Sequence, residues 1–552
     1  MPRQPQAPRE LPPHYYRDNF HCLLDTVEDQ YGDLLSPAES AFLEAYRSVS
    51  FAAQCLYVRL VSRVGPWFRE SRLHYPELGR PGPVLDEMLQ AGLAVQAREL
   101  SVVELVGLCT VAELADIFAL PVTAKASLLQ QLEQLEPDSR VLLSTLESAD
   151  AARVLAPAQG DVVALLQLLF FGNRRQGLTD FVLSDLGVAQ YYPYKLDRSQ
   201  RLFPDRIALD AFLDCATWED RWQRLREQDD TDGMRELALS LSTMPARHPD
   251  VQRHWDRLYN RVARQLERMA ENSLALALYE ASGRHPARER SVRLMEKSGE
   301  YAKAESLCQL IIADPWCEDE RDAAGRILPR LRRKLRGERT PRRPDKFAEV
   351  CLALPCNDQR VERQVARCLQ ADWERVHYVE NSLMNALFGL AFWEQIFAPV
   401  PGAFHNPYQS VPADMYQQHF RTARADLIAQ RLAELSATSL REELPRRFRL
   451  YSGLQCRWVN WRAISEELVS AAAAVIPREH LFAIWQRILF DPRENRRGFP
   501  DLIALGSLPG QYQMIEVKSP GDTLQDSQKR WLRFFSEHDI PATVARVTWS
   551  DG

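Results

Sequence analysis

The chain has 552 residues, 45% of them hydrophobic and 26% charged, with a formal net charge of −6. That length is too great for one hydrophobic core and sets an expectation of three or four domains. The balance excludes a globally basic chain, so any polyanion-binding surface must be a local patch, and no run of about 18 apolar residues marks a membrane span. Only 8 of the 69 basic residues are Lys. Arginine grips phosphate in a bidentate fork, although a GC-rich genome produces the same bias. The ten cysteines are scattered without a C-x-x-C or a Cys/His set of zinc spacing. They read as reduced thiols of a cytosolic protein.

In chain order, residues 1–15 are polar and Pro-rich and predict a disordered tail rather than a signal peptide. Residues 16–80 predict an N-terminal helical domain. Within it Ser36-Pro37-Ala38-Glu39 reads as an N-cap, a Pro at the first helical position and an acid two residues further on. A third helical stretch from Phe51 to Leu73 carries Arg59, Arg63, Arg69 and Arg72 around Trp67 and Phe68. Basic residues interleaved with aromatics suit a phosphate-tracking surface; arginines snorkelling from a packed helix give the same pattern.

"PGP" at 81–83 opens a second helical region, 81–215. Its segment Cys109–Leu132 resembles the SAP motif, a helix pair that binds duplex DNA: Leu114, Phe118, Leu120, Pro121, Lys125 and Leu129 fall at the motif's apolar, turn and basic positions. "LLQLLFFGNRRQGLTDFVLSDLGV" adds another helical unit. Residues 216–345 have the look of a tetratricopeptide-like array, with small residues at helix crossings and Gly-containing turns. Its end, 326–346, carries ten basic and two acidic residues, suited to DNA contact, to a nuclear-import signal, or to a solvated helix end and linker.

Residues 346–552 form the last region, which begins with helices. "WERVHYVENSLMNALFGLAFWEQIF" reads as a long apolar helix with one acid inside it, Glu380. Further on, "DLIALGS" and "QYQMIEVK" have strand character, "LQDSQKRWLRFFSEHD" is an amphipathic helix, and "ATVARVTW" is a final strand. The first two strands flank Leu508-Pro509-Gly510, a turn sequence. Centring the turn between Leu508 and Pro509 sets Asp501 opposite Glu516, with Cβ atoms about 5 Å apart. Glu516 and Lys518 then share one face, while Ile515 and Val517 point to the other. Two carboxylates so close repel, and one of them should have a raised pKa unless a cation lies between them. Mg²⁺ and Mn²⁺ prefer such oxygen ligands, and with them the chemistry would be phosphodiester hydrolysis, Lys518 orienting water or stabilising charge. The Val517 carbonyl is free to join the ligands while its side chain packs inward.

Pro500-Asp501 … Glu516-Val517-Lys518 resembles the PD-(D/E)xK nucleases of restriction-endonuclease-like fold. "RRGFPDLIAL" and "MIEVKSPGDTLQDSQKRWL" resemble their VRR-NUC branch, whose helix-borne Gln corresponds to Gln528. Together with the N-terminal helices, the SAP-like stretch, "FFGNRRQGLTDFVLSDLG" and the array, in that order, the whole chain resembles the Fanconi-associated nuclease family. That resemblance implies a mainly α multidomain protein with a C-terminal α/β nuclease domain. It implies a metal-dependent enzyme that cuts branched DNA at 5′ flaps, trims DNA 5′ to 3′, and acts in interstrand crosslink repair with Mg²⁺ or Mn²⁺. Metal ligands would be Glu380, Asp501, Glu516 and the Val517 carbonyl, with Lys518 catalytic and Gln528 accessory. The residues 16–80 and the SAP-like unit, through Arg59, Arg63, Arg69, Arg72 and Lys125, would grip duplex DNA, and the array would set the geometry. No Cys/His set provides the ubiquitin-binding zinc finger of eukaryotic relatives, so the expectation is a bacterial protein of cytoplasm and nucleoid with no membrane partner. The alternatives are a Holliday-junction resolvase, disfavoured because one chain carries its own DNA-binding regions, and a helical scaffold with an inactive nuclease domain, disfavoured because Asp501, Glu516 and Lys518 are all retained.

Overall fold

The computed structural model describes residues 13–63, 65–135, 137–178, 190–245, 247–338, 345–356 and 358–550. They fall into two compact units, one within 1–190, 196–202 and 405–408, the other within 191–195, 203–404 and 409–552. Among the described residues no single helix is long and apolar enough to cross a membrane.

In the first unit, helices Tyr15–Tyr31, Pro37–Ser48 and Phe51–Val61 bury Phe20, Leu24, Tyr46 and Tyr57. The expected cap at Ser36 forms in full: its hydroxyl accepts from the Glu39 N–H, and Glu39 reaches back to the Ser36 N–H. The third stretch differs from its expected helix. Helix stops at Val61 and Gly65 takes a left-handed φ of 104°. Phe68–Arg69 then becomes a strand paired antiparallel with Val154–Leu155, because Gly65-Pro66 breaks the helix before Trp67. The SAP-like region folds as short helices Val102–Leu108, Val111–Phe118 and Lys125–Gln134, closed by Ser139–Asp150 around Leu105, Leu114, Leu128, Leu132 and Leu142. Residues 1–12 of the expected tail lie outside the described residues, as do 179–189, which take in the end of the "LLQLLFFGNRRQGLTDFVLSDLGV" unit; its start lies in helix Gly160–Phe171.

The second unit begins with the array: helices Arg206–Glu227, Thr231–Thr243, Gln252–Arg268, Asn272–Glu280, Ala287–Lys297, Tyr301–Ala313 and Glu318–Arg336, successive members packing on one another. The expected boundary at 215/216 falls inside the first of these helices, which Asp205 caps through the Ala208 N–H; the break lies before Arg206. The basic end of the array is also partly neutralised by acids of the array itself. Arg330 and Lys334 pair with Glu296, and Arg332 and Arg336 with Glu305, while 339–344 lie outside the described residues.

The C-terminal region opens on a strand, β1 (Glu349–Pro355), not on helices, and its main sheet is completed by β2 (Arg375–Tyr378), β3 (Leu502–Leu505), β4 (Tyr512–Lys518) and β5 (Ala542–Ser550). The sheet order is β1-β5-β4-β3-β2, with β5 parallel to both β1 and β4, and β3 antiparallel to β4 and β2. Helix Val361–Leu369 covers one face, its Val365 among Leu502, Ile515, Val517 and Ala545. Helix Asp526–Glu537 covers the face that carries Glu516.

Array and sheet region meet at a buried carboxylate. Glu318, first residue of the last array helix, is fully buried. Its carboxylate accepts from Asn495 at 3.1 Å and pairs with Arg487 at 3.1 Å, and its N–H donates to Asp491 at 3.0 Å. Alongside, Arg530 of the sheet-covering helix reaches Asp319 at 2.9 Å and Asp322 at 3.4 Å. Glu318→Ala would leave the buried Arg487 guanidinium without its ion-pair partner, a loss on the order of 3–5 kcal/mol. The expected outcome is a clearly lower urea midpoint, with Glu318→Gln in between; an unchanged midpoint for Glu318→Ala would show that the joint holds without it.

Candidate functional site

The hairpin pairs in the expected register: Leu502 with Ile515, Ile503 with Met514, Ala504 with Gln513 and Leu505 with Tyr512. One step further along the same ladder stands Asp501 beside Glu516. Asp501 Oδ2 accepts the Val517 N–H at 2.8 Å, which fixes the carboxylate at the mouth of the hairpin. Val517 turns its side chain into the core on the other face.

Glu516 is 1% exposed. Its Oε1 receives Lys518 Nζ at 2.9 Å and Gln528 Nε2 at 2.5 Å. Gln528 is itself pinned, since its Oε1 accepts the Gln525 N–H at 2.9 Å in a capping box that starts helix Asp526–Glu537. The helix comes this close because position 498 is glycine. Gly498 has a φ of 82°, and a Cβ there would stand 2.7 Å from the Ser527 carbonyl carbon. No other residue offers both that backbone conformation and that clearance.

The carboxylates repel as their register demands. Burial, with the Glu380 charge added, pushes Asp501 up to about 6 against the pull of the Val517 N–H and Lys518. Burial and the Asp501 charge push Glu516 up to about 7 in spite of Lys518. A cleft that raises two carboxylic acids together is suited to receive positive charge.

Glu380 belongs to this group, but not on a long helix. Arg375–Tyr378 is strand β2, and the helix starts only at Leu383, so Glu380 stands exposed in the turn between them. Asn381 makes the turn with a φ of 47°, a conformation asparagine tolerates. Arg375 pairs with Glu374 rather than with Glu380. Three hydrogen bonds stitch this turn to the Asp501 segment. The Val379 N–H donates to the Asp501 carbonyl at 2.8 Å, the Phe499 N–H to Asn381 Oδ1 at 3.1 Å, and Asn385 Nδ2 to the Arg496 carbonyl at 2.9 Å. The Glu380 carboxylate in turn accepts from the Tyr378 hydroxyl at 2.5 Å. Sequence reading missed Tyr378, Asn381 and Asn385; the only signal was a pair of asparagines in an otherwise apolar stretch.

Among the described residues no three His, Cys, Asp or Glu side chains close into a ready cage. Glu516 is engaged by Lys518 and Gln528, and Glu380 by Tyr378. The donor chemistry nevertheless fits a hard divalent ion: oxygen ligands only, two of them carboxylates of raised proton affinity.

The arginines expected to track phosphate divide. Arg69 is 6% exposed and bound to Asp150 and Glu113, so it is a packing residue inside the first unit. Its strand carries it into the core, which the helical reading did not foresee. Arg59, Arg63 and Arg72 instead line one cavity of about 480 Å³ with Tyr15, Tyr16, His74 and Tyr75. Within it Arg59 pairs with Glu77, Arg63 donates to the Tyr75 hydroxyl at 3.0 Å, and Arg72 meets Glu113. Lys125 stands exposed at the first turn of its helix. A second basic cluster left no trace in the sequence. In the second unit Arg253 and Arg284 make no ion pair among the described residues; burial and neighbouring charges, Arg257 for the first and Arg493 for the second, draw both guanidinium pKa values down.

Three family descriptions match the chain: the FAN1 HTH domain over residues 14–95, the Fanconi anemia-associated nuclease SAP domain over 99–144, and the VRR-NUC domain over 435–549. Glu380 lies upstream of the last of these. The chain is 36% identical over 548 residues to a Fanconi-associated nuclease 1 homolog of Pseudomonas aeruginosa, covering 97% of this chain and 96% of that protein. It is 24% identical to the homolog of Arabidopsis thaliana, covering 96% and 67%. Its backbone matches a crystal structure of paFAN1 bound to 2nt 5′ flap DNA with gap, with a TM-score of 0.83 and 34% identity over 99% of this chain and 100% of that one. The protein therefore belongs to the Fanconi-associated nuclease family, DNA-cutting phosphodiesterases that depend on divalent metal.

Proposed function

We propose that the chain is a structure-selective endonuclease favouring 5′ flaps, with 5′-to-3′ exonuclease activity, and that it acts in repair of interstrand crosslinks. The observation that carries this reading is the Asp501–Glu516 pair with Lys518 beside it, in a chain similar along its length to a protein solved with flapped DNA. Asp501, Glu516, the Val517 carbonyl and Glu380 would hold Mg²⁺ or Mn²⁺. When bound, such an ion draws charge from a phosphate oxygen and acidifies water. Around it the side chains divide the work. The Val517 N–H keeps Asp501 aimed into the cleft, and Gln528 keeps Glu516 from swinging away. Lys518, 2.9 Å from Glu516, offers its remaining protons to the attacking water or to the charge that builds on phosphorus. Arg59, Arg63, Arg72 and Lys125 are proposed to meet DNA in the first unit, and Arg253 and Arg284 in the second. Their contacts would be to backbone, giving salt-sensitive binding that tolerates any sequence.

Labelled 5′-flap, 3′-flap, splayed-arm and four-way-junction DNA, each with Mn²⁺ or EDTA, test the reading. The 5′ flap should be cut fastest, EDTA should stop cutting, and Lys518→Ala should slow it on the order of 10²–10³-fold. Asp501→Ala and Glu516→Ala should abolish cutting yet leave DNA binding intact. Cleavage that survives EDTA or either alanine would sink the assigned site, and a preference for the four-way junction would turn the reading to a resolvase.

The raised carboxylates also set a pH dependence of stability. An acid with a higher pKa folded than unfolded binds more protons in the native state, so stability is lost as pH rises from the ordinary carboxylate range through the folded value. For Asp501 and Glu516 that window runs up to about 6 and about 7. In EDTA, Asp501→Asn should gain stability relative to the parent on going from pH 5.5 to pH 8, by on the order of 1 kcal/mol. A variant with the same pH dependence as the parent would show that the repulsion is not felt.

A further inference from the structure

The backbone at Glu380 is fixed to the Asp501 segment by the bonds from Val379, Phe499 and Asn385, but its side chain is exposed and has rotamer freedom of its own. Unlike Asp501, it takes no backbone N–H among the described residues. Its contacts are the Tyr378 hydroxyl on Oε2 at 2.5 Å and the more distant Asn381 Nδ2 on Oε1 at 3.3 Å. Tyr378 ends strand β2, paired with Leu502 directly after Asp501. Its ring is 47% exposed, far more than packing of the sheet requires.

We infer that Tyr378 is a positioning residue for the metal site, holding the Glu380 carboxylate by its O–H so that the lone pairs left free point toward Asp501 and Glu516. The inference rests on the reading of Glu380 as a ligand. A carboxylate that accepts one hydrogen bond from a neighbouring hydroxyl keeps its other lone pairs for a cation and is spared part of the entropy of being ordered on binding. Partners of this kind are worth about 10–100-fold in metal affinity. Glu380 Oε2 can only accept, so the Tyr378 O–H is the donor of this bond, and phenylalanine removes the hydroxyl while keeping the ring.

Mn²⁺ binding by the full chain, read from the electron-spin resonance of free Mn²⁺, tests this without any turnover. Tyr378→Phe should weaken Mn²⁺ binding by about tenfold or more, with an unchanged melting temperature in EDTA. Glu380→Ala should weaken it at least as much, and Tyr378→Phe should add nothing to Glu380→Ala. Wild-type affinity in Tyr378→Phe, with Glu380→Ala impaired, overturns the positioning role alone. A further loss on adding Tyr378→Phe to Glu380→Ala also overturns it, because the phenol would then act through something other than Glu380. Unchanged affinity in Glu380→Ala overturns the ligand reading and the inference with it.

Discussion

Two carboxylates of like charge face each other across one rung of a hairpin, in a place largely closed to water. Much of the second unit is arranged so that this unfavourable pair can persist. Val517 gives an N–H to one acid and hides its side chain on the far face. Lys518 and Gln528 hold the other. Gly498 lets the helix that bears Gln528 come within reach. Strain of this kind belongs at functional sites and is offset by the packing around them. Here the offset comes from a sheet covered on both faces, with Val365 on one side and Trp531 on the other.

What the sequence revealed of this site follows from what strands and turns make local. Side-chain alternation and a Pro-Gly turn fix a register, so the relation of Asp501 to Glu516 could be computed from spacing alone. The capping box at Ser36 was readable for the same reason. Glu380 shows the limit. Its segment looks like one helix because β2 is only four residues long, with Val376 alone buried, and runs without a break signal into the buried apolar helix Leu383–Ala391. Only pairing with Leu502–Leu505 makes Arg375–Tyr378 a strand, and that pairing joins residues more than a hundred positions apart. Strand β1 escaped for a like reason, since its partner β5 ends the chain.

Charge told less than it promised. The abundance of arginine invites a search for phosphate, yet many guanidiniums serve the fold. Arg69 ties the SAP-like region to its neighbouring strand, and Arg424 and Arg431 are buried against Asp414 and Glu443. Arg253 and Arg284, which make no ion pair among the described residues, are not in the runs that composition highlights. A basic stretch measures how much charge a segment carries; the fold decides whether that charge is left over.

Arg530 sits two residues beyond Gln528, half a turn along the same helix, and is held by Asp319 and Asp322 of the array. Arg326 of the same array helix adds a looser pair with Asp526 at 3.9 Å. The helix that bears Gln528 is thus tied by charge to the array as well as packed on the sheet. An isolated sheet domain would keep its acids and lose that tether.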